Sequence, residues 1–310
     1  LGRPFLAEAV REAGGGCSHR ACVLEGGGER WFAKLNAADA LPMFEAEQDG
    51  LAALAQADAL RVPRPLCSGV LDGQAFLVLE FLELRPLALR EEAVACGRAL
   101  AALHRHTGTR YGWRRDNFIG ATPQINTEAE SWPRFFAQAR LLPQIERAAA
   151  RSAALRKGGE SLAEKLPAFF LDYRPQASLL HGDLWHGNMA MSGNAPAVFD
   201  PAAYYGDRET DLAMTELFGG FPEAFYAAYR EERCAHLKLD DAEVDRRIKD
   251  GPPLVSANFV IPYPPGFPIM VPGQVIEADT IEFMRKLDVK EIHGYDGTLG
   301  LKLLRPDALA

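Results

Sequence analysis

Cysteine is sparse in this 310-residue chain, and the five present (Cys17, Cys22, Cys67, Cys96 and Cys234) form an odd set without a C-x-x-C pair. That pattern excludes a disulfide framework and a ribbon-type zinc site. No apolar run approaches the roughly 20 residues of a membrane span, and no signal-peptide pattern opens the chain at Leu1; the expected compartment is the cytoplasm, with no membrane partner. Positive charge is the minority: 34 Lys and Arg against 42 Asp and Glu give a net charge of -8. This argues against a nucleic-acid partner, which needs clustered basic residues, and an acidic face suits a cationic substrate. What the chain does have is length for about two domains and 48% hydrophobic residues to fill their cores.

The most informative stretch is His181-Gly182-Asp183-Leu184-Trp185-His186-Gly187-Asn188, followed by Asp200 in Val198-Phe199-Asp200. The Asp, Leu and Asn have the spacing of a phosphoryl-transfer catalytic loop. Asp183 would take the proton of the attacking hydroxyl, and Asn188 and Asp200 would ligate magnesium through oxygen, the donor a hard cation prefers. The setting fits: an apolar run, Ser178-Leu179-Leu180, enters the loop. Asn188-Met189-Ala190-Met191 then leads through Ser192-Gly193-Asn194 into Ala197-Val198-Phe199, which reads as strand, loop, strand, turn, strand. Asn188 and Asp200 then fall at the paired end of one hairpin.

Upstream, Val10 to Glu25 reads as two strands around Gly14-Gly15-Gly16, and Trp31-Phe32-Ala33-Lys34 forms the next. Glycines let backbone amides approach phosphates, so Gly14, Gly15, Gly16 and Cys17 are candidates to cover a nucleotide. A helix over about 41–58 puts Phe44, Glu47, Leu51 and Leu54 on one face. Lys34 then pairs with Glu47 as the strand-lysine and helix-glutamate that orient ATP phosphates; Glu45, two residues away on the helix, is the competitor. The buried strand Ala75 to Glu80 runs into a hinge, Glu80 to Leu84, whose backbone at Glu80 and Leu82 meets adenine. A helix over about 91–106 follows, on which His104 and His106 cannot share a face and read as surface histidines. Trp113, Asp116, Asn117 and Trp132 are groups of the kind that hold a sugar, and a buried cluster would have the same composition. Asp211 reads either as a brace for the catalytic loop or as a helix N-terminal acid.

With these residues in place, about residues 1–232 resemble the fructosamine (ketosamine) kinase family. The resemblance rests on Gly14-Gly15-Gly16-Cys17, Trp31-Phe32-Ala33-Lys34-Leu35-Asn36, Phe44-Glu45-Ala46-Glu47, His181 to Asn188 and Tyr205-Gly206-Asp207-Arg208-Glu209-Thr210-Asp211. Its most specific stretch is Asp116-Asn117-Phe118-Ile119-Gly120 with Pro123-Gln124, Asn126, Trp132, Phe135-Phe136 and Arg140-Leu141. The resemblance implies an α+β, protein-kinase-like two-lobed fold, related to aminoglycoside and choline kinases, and ATP- and magnesium-dependent phosphorylation of a sugar hydroxyl on fructosamines or ribulosamines. The phosphorylated adduct decomposes and frees the amine, which is deglycation repair. The family often carries Cys at the position of Cys17, which invites a redox switch there. Gly182 stands where regulated protein kinases carry an Arg, and no Ala-Pro-Glu follows Asp200; both fit a small-molecule kinase.

The pattern breaks after about Arg230. From Pro252 to Pro272, seven of 21 residues are proline, which excludes helix. Val255 to Pro268, Val271-Pro272-Gly273-Gln274 and Glu291-Ile292-His293-Gly294-Tyr295 resemble the C-terminal region of bacterial ornithine/lysine/arginine decarboxylases, over about residues 233–310. The pyridoxal phosphate lysine of that family follows a histidine in a separate domain, and no His-Lys pair occurs here, so decarboxylation is not expected. The resulting organisation is an ATP-binding N-lobe (1–84), a truncated catalytic and substrate-binding C-lobe (85–232) and an irregular proline-rich tail (233–310). Such a tail is expected to contact the catalytic lobe little and to leave an apolar patch near Phe218, Phe221, Phe225 and Tyr229 that drives self-association. The alternatives to an active kinase are an inactive or nucleotide-binding chimera, or an interaction segment that docks on a decarboxylase.

Overall fold

The computed structural model describes residues 5–14, 19–149, 153–171, 173–263, 266–289 and 291–308. They divide into two compact units, Leu1–Tyr226 and Ala227–Ala310. The first unit opens with strands β1 (Ala9–Ala13), β2 (Arg20–Gly26) and β3 (Glu29–Ala37), then helix α1 (Leu41–Gln56), β4 (Pro65–Leu71) and β5 (Gln74–Glu80). Among the described residues these strands form one antiparallel sheet in the order β1-β2-β3-β5-β4. Its register sets Lys34 across from Ala21 on one side and Leu77 on the other. Helix α1 starts with Pro42 in its first turn, where a missing N–H costs nothing. It buries Phe44, Leu51 and Leu54, the face that their three- and four-residue spacing dictates.

After β6 (Leu84–Arg85) comes α2 (Arg90–His104), followed by β7 (Thr107–Gly108), β8 (Asn117–Ile119) and β9 (Thr122–Gln124). Helix α3 (Trp132–Phe135) runs through a widened turn, Phe136–Leu141, into α4 (Leu142–Ala149), and α5 (Ala153–Lys165) follows. The catalytic stretch is carried by β10 (Ala177–Leu180), β11 (Met189–Ser192), β12 (Ala195–Val198) and β13 (Tyr204–Gly206), ahead of α6 (Glu209–Leu217). The expected hairpin is present: β11 pairs with β12 antiparallel, with Met189 opposite Val198. Strand β6 lies on its other edge, Arg85 opposite Met191.

Helix α7 (Glu223–Glu231) crosses the division between the units, and the second continues with β14 (Cys234–Leu237), α8 (Ala242–Asp250), β15 (Ile261–Tyr263), α9 (Ala278–Lys286), β16 (Glu291–His293), β17 (Tyr295–Asp296) and β18 (Gly300–Leu304). The described residues of the proline-rich stretch contain no helix, as its missing donors require. It is nevertheless not a loose tail. Leu254, Val260, Met270 and Ile276 from that stretch and just beyond it bury themselves with Val244, Ile281, Met284, Leu301 and Leu303 in a core of their own. Strands β14, β18 and β17 close it. Irregular backbone can be buried because its polar groups find partners one by one: Ser256 N–H donates to Gln274 O, Val260 N–H to Met270 O, and the Arg247 guanidinium to the carbonyls of Pro252 and Pro253. The expected apolar patch is also corrected. Phe225 and Tyr229 are buried and only Phe218 stands well exposed, so four aromatic rings do not make one open face. No described helix is long and apolar enough to cross a membrane.

The start of α2 shows how one carboxylate fixes a lobe entry. Glu92 accepts from the backbone N–H groups of Ala88 (2.8 Å) and Leu89 (3.1 Å) and from Arg85 (2.5 Å), a capping arrangement in which the third helical residue reaches back over the terminus. The Arg85 hydrogen bond, with those two N–H groups, holds its carboxyl down to about 2. Ionised Glu92 therefore stabilises the fold fully above its ordinary value of 4.5, and this is lost as pH falls toward 2. Glu92→Gln should lower the melting temperature at pH 7, and the gap to the parent should narrow steadily as melts are repeated from pH 4.5 down to pH 2. A gap that does not change with pH would show that the charge contributes nothing.

Candidate active site

The candidate catalytic loop, His181 to Asn188, is held from below by one buried carboxylate. Asp211, in the first turn of α6 and fully buried, accepts the backbone N–H of His181 (2.7 Å) on one oxygen and that of Gly182 (2.9 Å) on the other. His104 Nε2 lies 3.2 Å away. Burial works to raise this carboxyl, but the hydrogen bond and charge of His104, with His181 and the Gly182 N–H, prevail and hold it below its usual value. Asp211 is thus the brace. His104 is correspondingly not a surface histidine: it is 4% exposed at the end of α2, where a charged partner satisfies its ring. His106 is exposed.

Above the brace the loop makes a sharp reversal. Gly182 has φ 81°, and a Cβ there would lie 2.1 Å from the Ala202 carbonyl oxygen. Glycine is therefore required for backbone shape, a more local reason than the lack of an arginine. His181 is buried, with Nε2 3.0 Å from Phe199 O and Nδ1 accepting the Asp183 N–H at 3.3 Å. Those bonds select the Nε2–H tautomer and tie the loop to the segment that carries Asp200. Asn188 donates Nδ2 to Asp183 O (2.9 Å) and to Asp183 Oδ2 (3.3 Å). Burial pushes the Asp183 carboxyl up from its ordinary value.

Lys34 Nζ lies 2.6 Å from both Glu47 Oε1 and Asp200 Oδ1. Burial opposes its charge, but the two carboxylates hold the ammonium protonated, above its usual range. The competitor Glu45 is engaged elsewhere, 3.1 Å from Arg115. Asp200 sits at φ 58°, a left-handed conformation that Asp tolerates better than most residues. It turns the carboxylate toward Lys34.

These groups line one cleft of about 470 Å³, walled by His19, Phe32, Lys34, Glu47, Asn117, Phe118, Asp183, Trp185, Asn188, Phe199 and Asp200 among others. Of the residues expected to cover a nucleotide, Gly14 is exposed, and Gly15, Gly16 and Cys17 lie outside the described residues. Glu80 and Leu82 are not part of this wall; the Glu80 side chain pairs with Arg61 instead. The sugar candidates separate. Asn117 lines the cleft, with both ends of its amide spent on Ala203 O (2.9 Å) and Gln124 (2.8 Å), so it shapes the wall. Asp116 accepts the Asn126 N–H (2.7 Å), which makes it a loop tie. Trp132 is corrected: it is 3% exposed in a cluster with Phe135, Leu180 and Tyr204, buried because aromatic area on a short helix is better packed than wetted. Trp113 lies beside Tyr205 in a separate cavity of about 500 Å³ that contains none of the candidate catalytic groups.

Sequence reading missed His19 and Trp185. His19 follows the glycine segment and bonds Asn36 through Nδ1 (2.8 Å); burial, then the Lys34 charge, pushes its imidazole down. Its place just ahead of β2 puts it in line with Asn36, two residues beyond Lys34 on the neighbouring strand. Trp185 sits inside the catalytic loop itself, half-buried and within 5.7 Å of the Phe218 ring.

A cation fits the donors present. Asn188 has given its N–H₂ to Asp183, which leaves the amide oxygen as its acceptor side, and Asp200 has a second carboxylate oxygen beyond the one on Lys34. Both are hard oxygens. No group of three His, Cys, Asp or Glu side chains that would cage a metal occurs among the described residues, and magnesium characteristically takes one or two protein ligands and completes its shell with phosphate and water.

A lysine clamped by a helix glutamate and a second-lobe aspartate, above an Asp-x-x-x-x-Asn loop, defines a kinase of the protein-kinase-like fold. The fructosamine kinase family profile matches residues 1–242. Over 230 residues the chain is 44% identical to "Probable ketoamine kinase" of Synechocystis sp., covering 74% of this chain and 77% of that one. It is 35% identical over 234 residues to "Protein-ribulosamine 3-kinase, chloroplastic" of Arabidopsis thaliana, covering 74% and 71%. The crystal structure named "Putative fructosamine-3-kinase" from Haemophilus somnus aligns with a TM-score of 0.68 at 27% identity, over 80% of this chain and 82% of that chain. The chain belongs to the fructosamine kinase family.

The brace makes a specific demand. Asn in place of Asp211 offers one acceptor oxygen to three donors and turns an N–H₂ toward an N–H, leaving buried groups unpaired. Asp211→Asn should cost about 1 to 3 kcal/mol in urea melts and should speed amide exchange at His181 and Gly182 first. Unaltered protection at those two amides would show that the loop is held by something else.

Proposed function

We propose that this protein transfers a phosphoryl group from ATP to a sugar hydroxyl of fructosamine or ribulosamine adducts, on small amines or on proteins, and so serves deglycation repair. The observation that carries the reading is the convergence of Lys34, Glu47, Asp183, Asn188 and Asp200 on one cleft, together with the names borne by the relatives. Lys34, fixed by Glu47, positions the phosphates, and the glycine segment from Gly14 to Cys17 covers them. Asn188 and Asp200 would hold magnesium, which neutralises charge on the transferring phosphates.

Asp183 is the base. A carboxyl raised by burial accepts a proton more readily than a solvated one, and Asn188 Nδ2, 3.3 Å from Oδ2, fixes the direction of the lone pairs. Trp185 and Phe118 line the same cleft as Asp183 and Asn117. An aromatic face beside the base suits a sugar ring. Purified protein with ATP and a fructosamine should turn over at about 1 to 100 per second. Asp183→Asn should lower kcat by roughly 10² to 10⁴ with a melting temperature close to the parent's. Full activity in that variant would sink the assignment; tight ATP binding by the parent without turnover on any ketoamine would favour a nucleotide-binding protein instead.

For residues 233–310 we propose an appended interaction module of the decarboxylase C-terminal type. Besides the resemblance read from the sequence, what supports this is that the second unit has its own core and leaves Phe259, Tyr263, Phe267 and Phe283 more than half exposed, apolar exposure of the kind that serves interaction. The full chain should retain a purified ornithine, lysine or arginine decarboxylase on a column, and a chain ending at residue 232 should not. Equal retention by both, or by neither, refutes the module.

A further inference from the structure

Phosphate positioning by Lys34 requires Glu47 to remain 2.6 Å away, so whatever fixes α1 governs the nucleotide site. Glu47 is flanked on that helix by two other acids, Glu45 and Asp49. Neither faces solvent alone. Arg115 reaches both, with Nη2 3.1 Å from Glu45 and Nη1 3.3 Å from Asp49, and Arg114 lies 3.0 Å from the other Asp49 oxygen. Acids four residues apart stand one turn apart on one side of a helix, and the planar fork of a guanidinium can span them.

The arginine pair is not part of the sheet that α1 packs on. It belongs to the segment before β8, whose own fixing is internal to the second lobe. The Arg115 carbonyl accepts from Asn126 Nδ2 (3.2 Å), and Asn126 is fully buried. Its amide oxygen accepts from Arg140 (2.8 Å), whose guanidinium lies 4.0 Å from the Tyr204 ring centroid. An anchored main chain thus presents a charged side chain across to the helix of the other lobe. We propose that Arg115 is a positioning residue, a strap that holds α1 where Glu47 meets Lys34 and so sets the affinity for the nucleotide. This rests on the kinase reading above.

All three acids and bases of the strap are partly exposed, at 34% for Arg115, 46% for Glu45 and 30% for Asp49. Such pairs are individually modest, so the strap biases the position of α1 without determining whether the lobe folds. A lysine in place of Arg115 is a single point charge and can satisfy one acid at a time.

The test uses the full chain. Arg115→Ala should raise the KM for ATP about fivefold while kcat changes less than twofold, the size expected for losing two partly exposed pairs. Amide exchange should accelerate within residues 41–56 and stay unaltered in the second lobe. Arg115→Lys should recover part of the KM. Arg115→Glu should be worse than alanine, and combining it with Glu45→Arg should bring KM back to within about twofold of the parent. Unchanged KM and unchanged α1 exchange in Arg115→Ala overturn the proposal, as does faster exchange spread through the second lobe, which is the mark of a merely structural residue. If the parent phosphorylates no ketoamine, the Kd for ATP replaces KM in every arm; an inactive parent then counts against the kinase reading, and an unmoved α1 counts against the strap.

Discussion

The carboxylate of Asp211 is the constraint on which the remainder of the catalytic lobe depends. It is fully buried, and an unpaired charge there would cost several kcal/mol. Two backbone N–H groups and one imidazole offset that cost, and they come from two distant points along the chain, the His181-Gly182 turn and His104. The charge therefore draws β10, the end of α2 and the start of α6 to one place. Once His181 and Gly182 are pinned, the left-handed turn at Gly182 aims Asp183 outward. The two ring nitrogens of His181 then tie that turn to Phe199, next to Asp200.

A second charge cluster does the complementary task on the other side of the cleft. Lys34 lies between Glu47 and Asp200, one from each lobe, so its ion pairs report the relative position of the two. The Lys34 and Glu47 side chains are 7% and 11% exposed, so their attraction is poorly screened and separating them leaves a buried charge, whereas Asp200 is 47% exposed. The strap at Arg115 acts on the same helix from its exposed side, with weaker pairs. The deep pair holds Lys34 to Glu47 and the shallow pairs adjust the helix that supplies Glu47, which is a division that the difference in dielectric makes natural.

The second unit teaches a separate lesson about proline. Seven prolines in 21 residues forbid a helix, and the described residues of the stretch form none. They do not forbid a core. The apolar residues between them, Leu254, Val260 and Met270, are spaced irregularly, yet they bury as well as those of a regular element. The backbone donors that remain find carbonyl partners singly, without a ladder. Periodicity is blind to this kind of packing.

What the sequence determined by itself was the set of polar side chains that converge on the cleft and the local frame that carries them. The spacing from Asp183 to Asn188, the hairpin that sets Asn188 against Phe199, the face of α1 that carries Glu47 and the preference of Lys34 for Glu47 over Glu45 all follow from short-range geometry, where 2.0 and 3.6 residue periods decide direction. Tertiary structure alone decided which polar and aromatic groups are spent on the protein and which remain to meet a ligand. Trp132 and Trp185 are chemically alike, but one is walled in by Phe135 and Tyr204 and the other opens on the cleft. His104 and His106 are two residues apart, and only the first meets Asp211. Burial and partnership are properties of chain segments far apart in sequence brought together, as Asp211 is with His104 across 107 residues, and no local pattern encodes them.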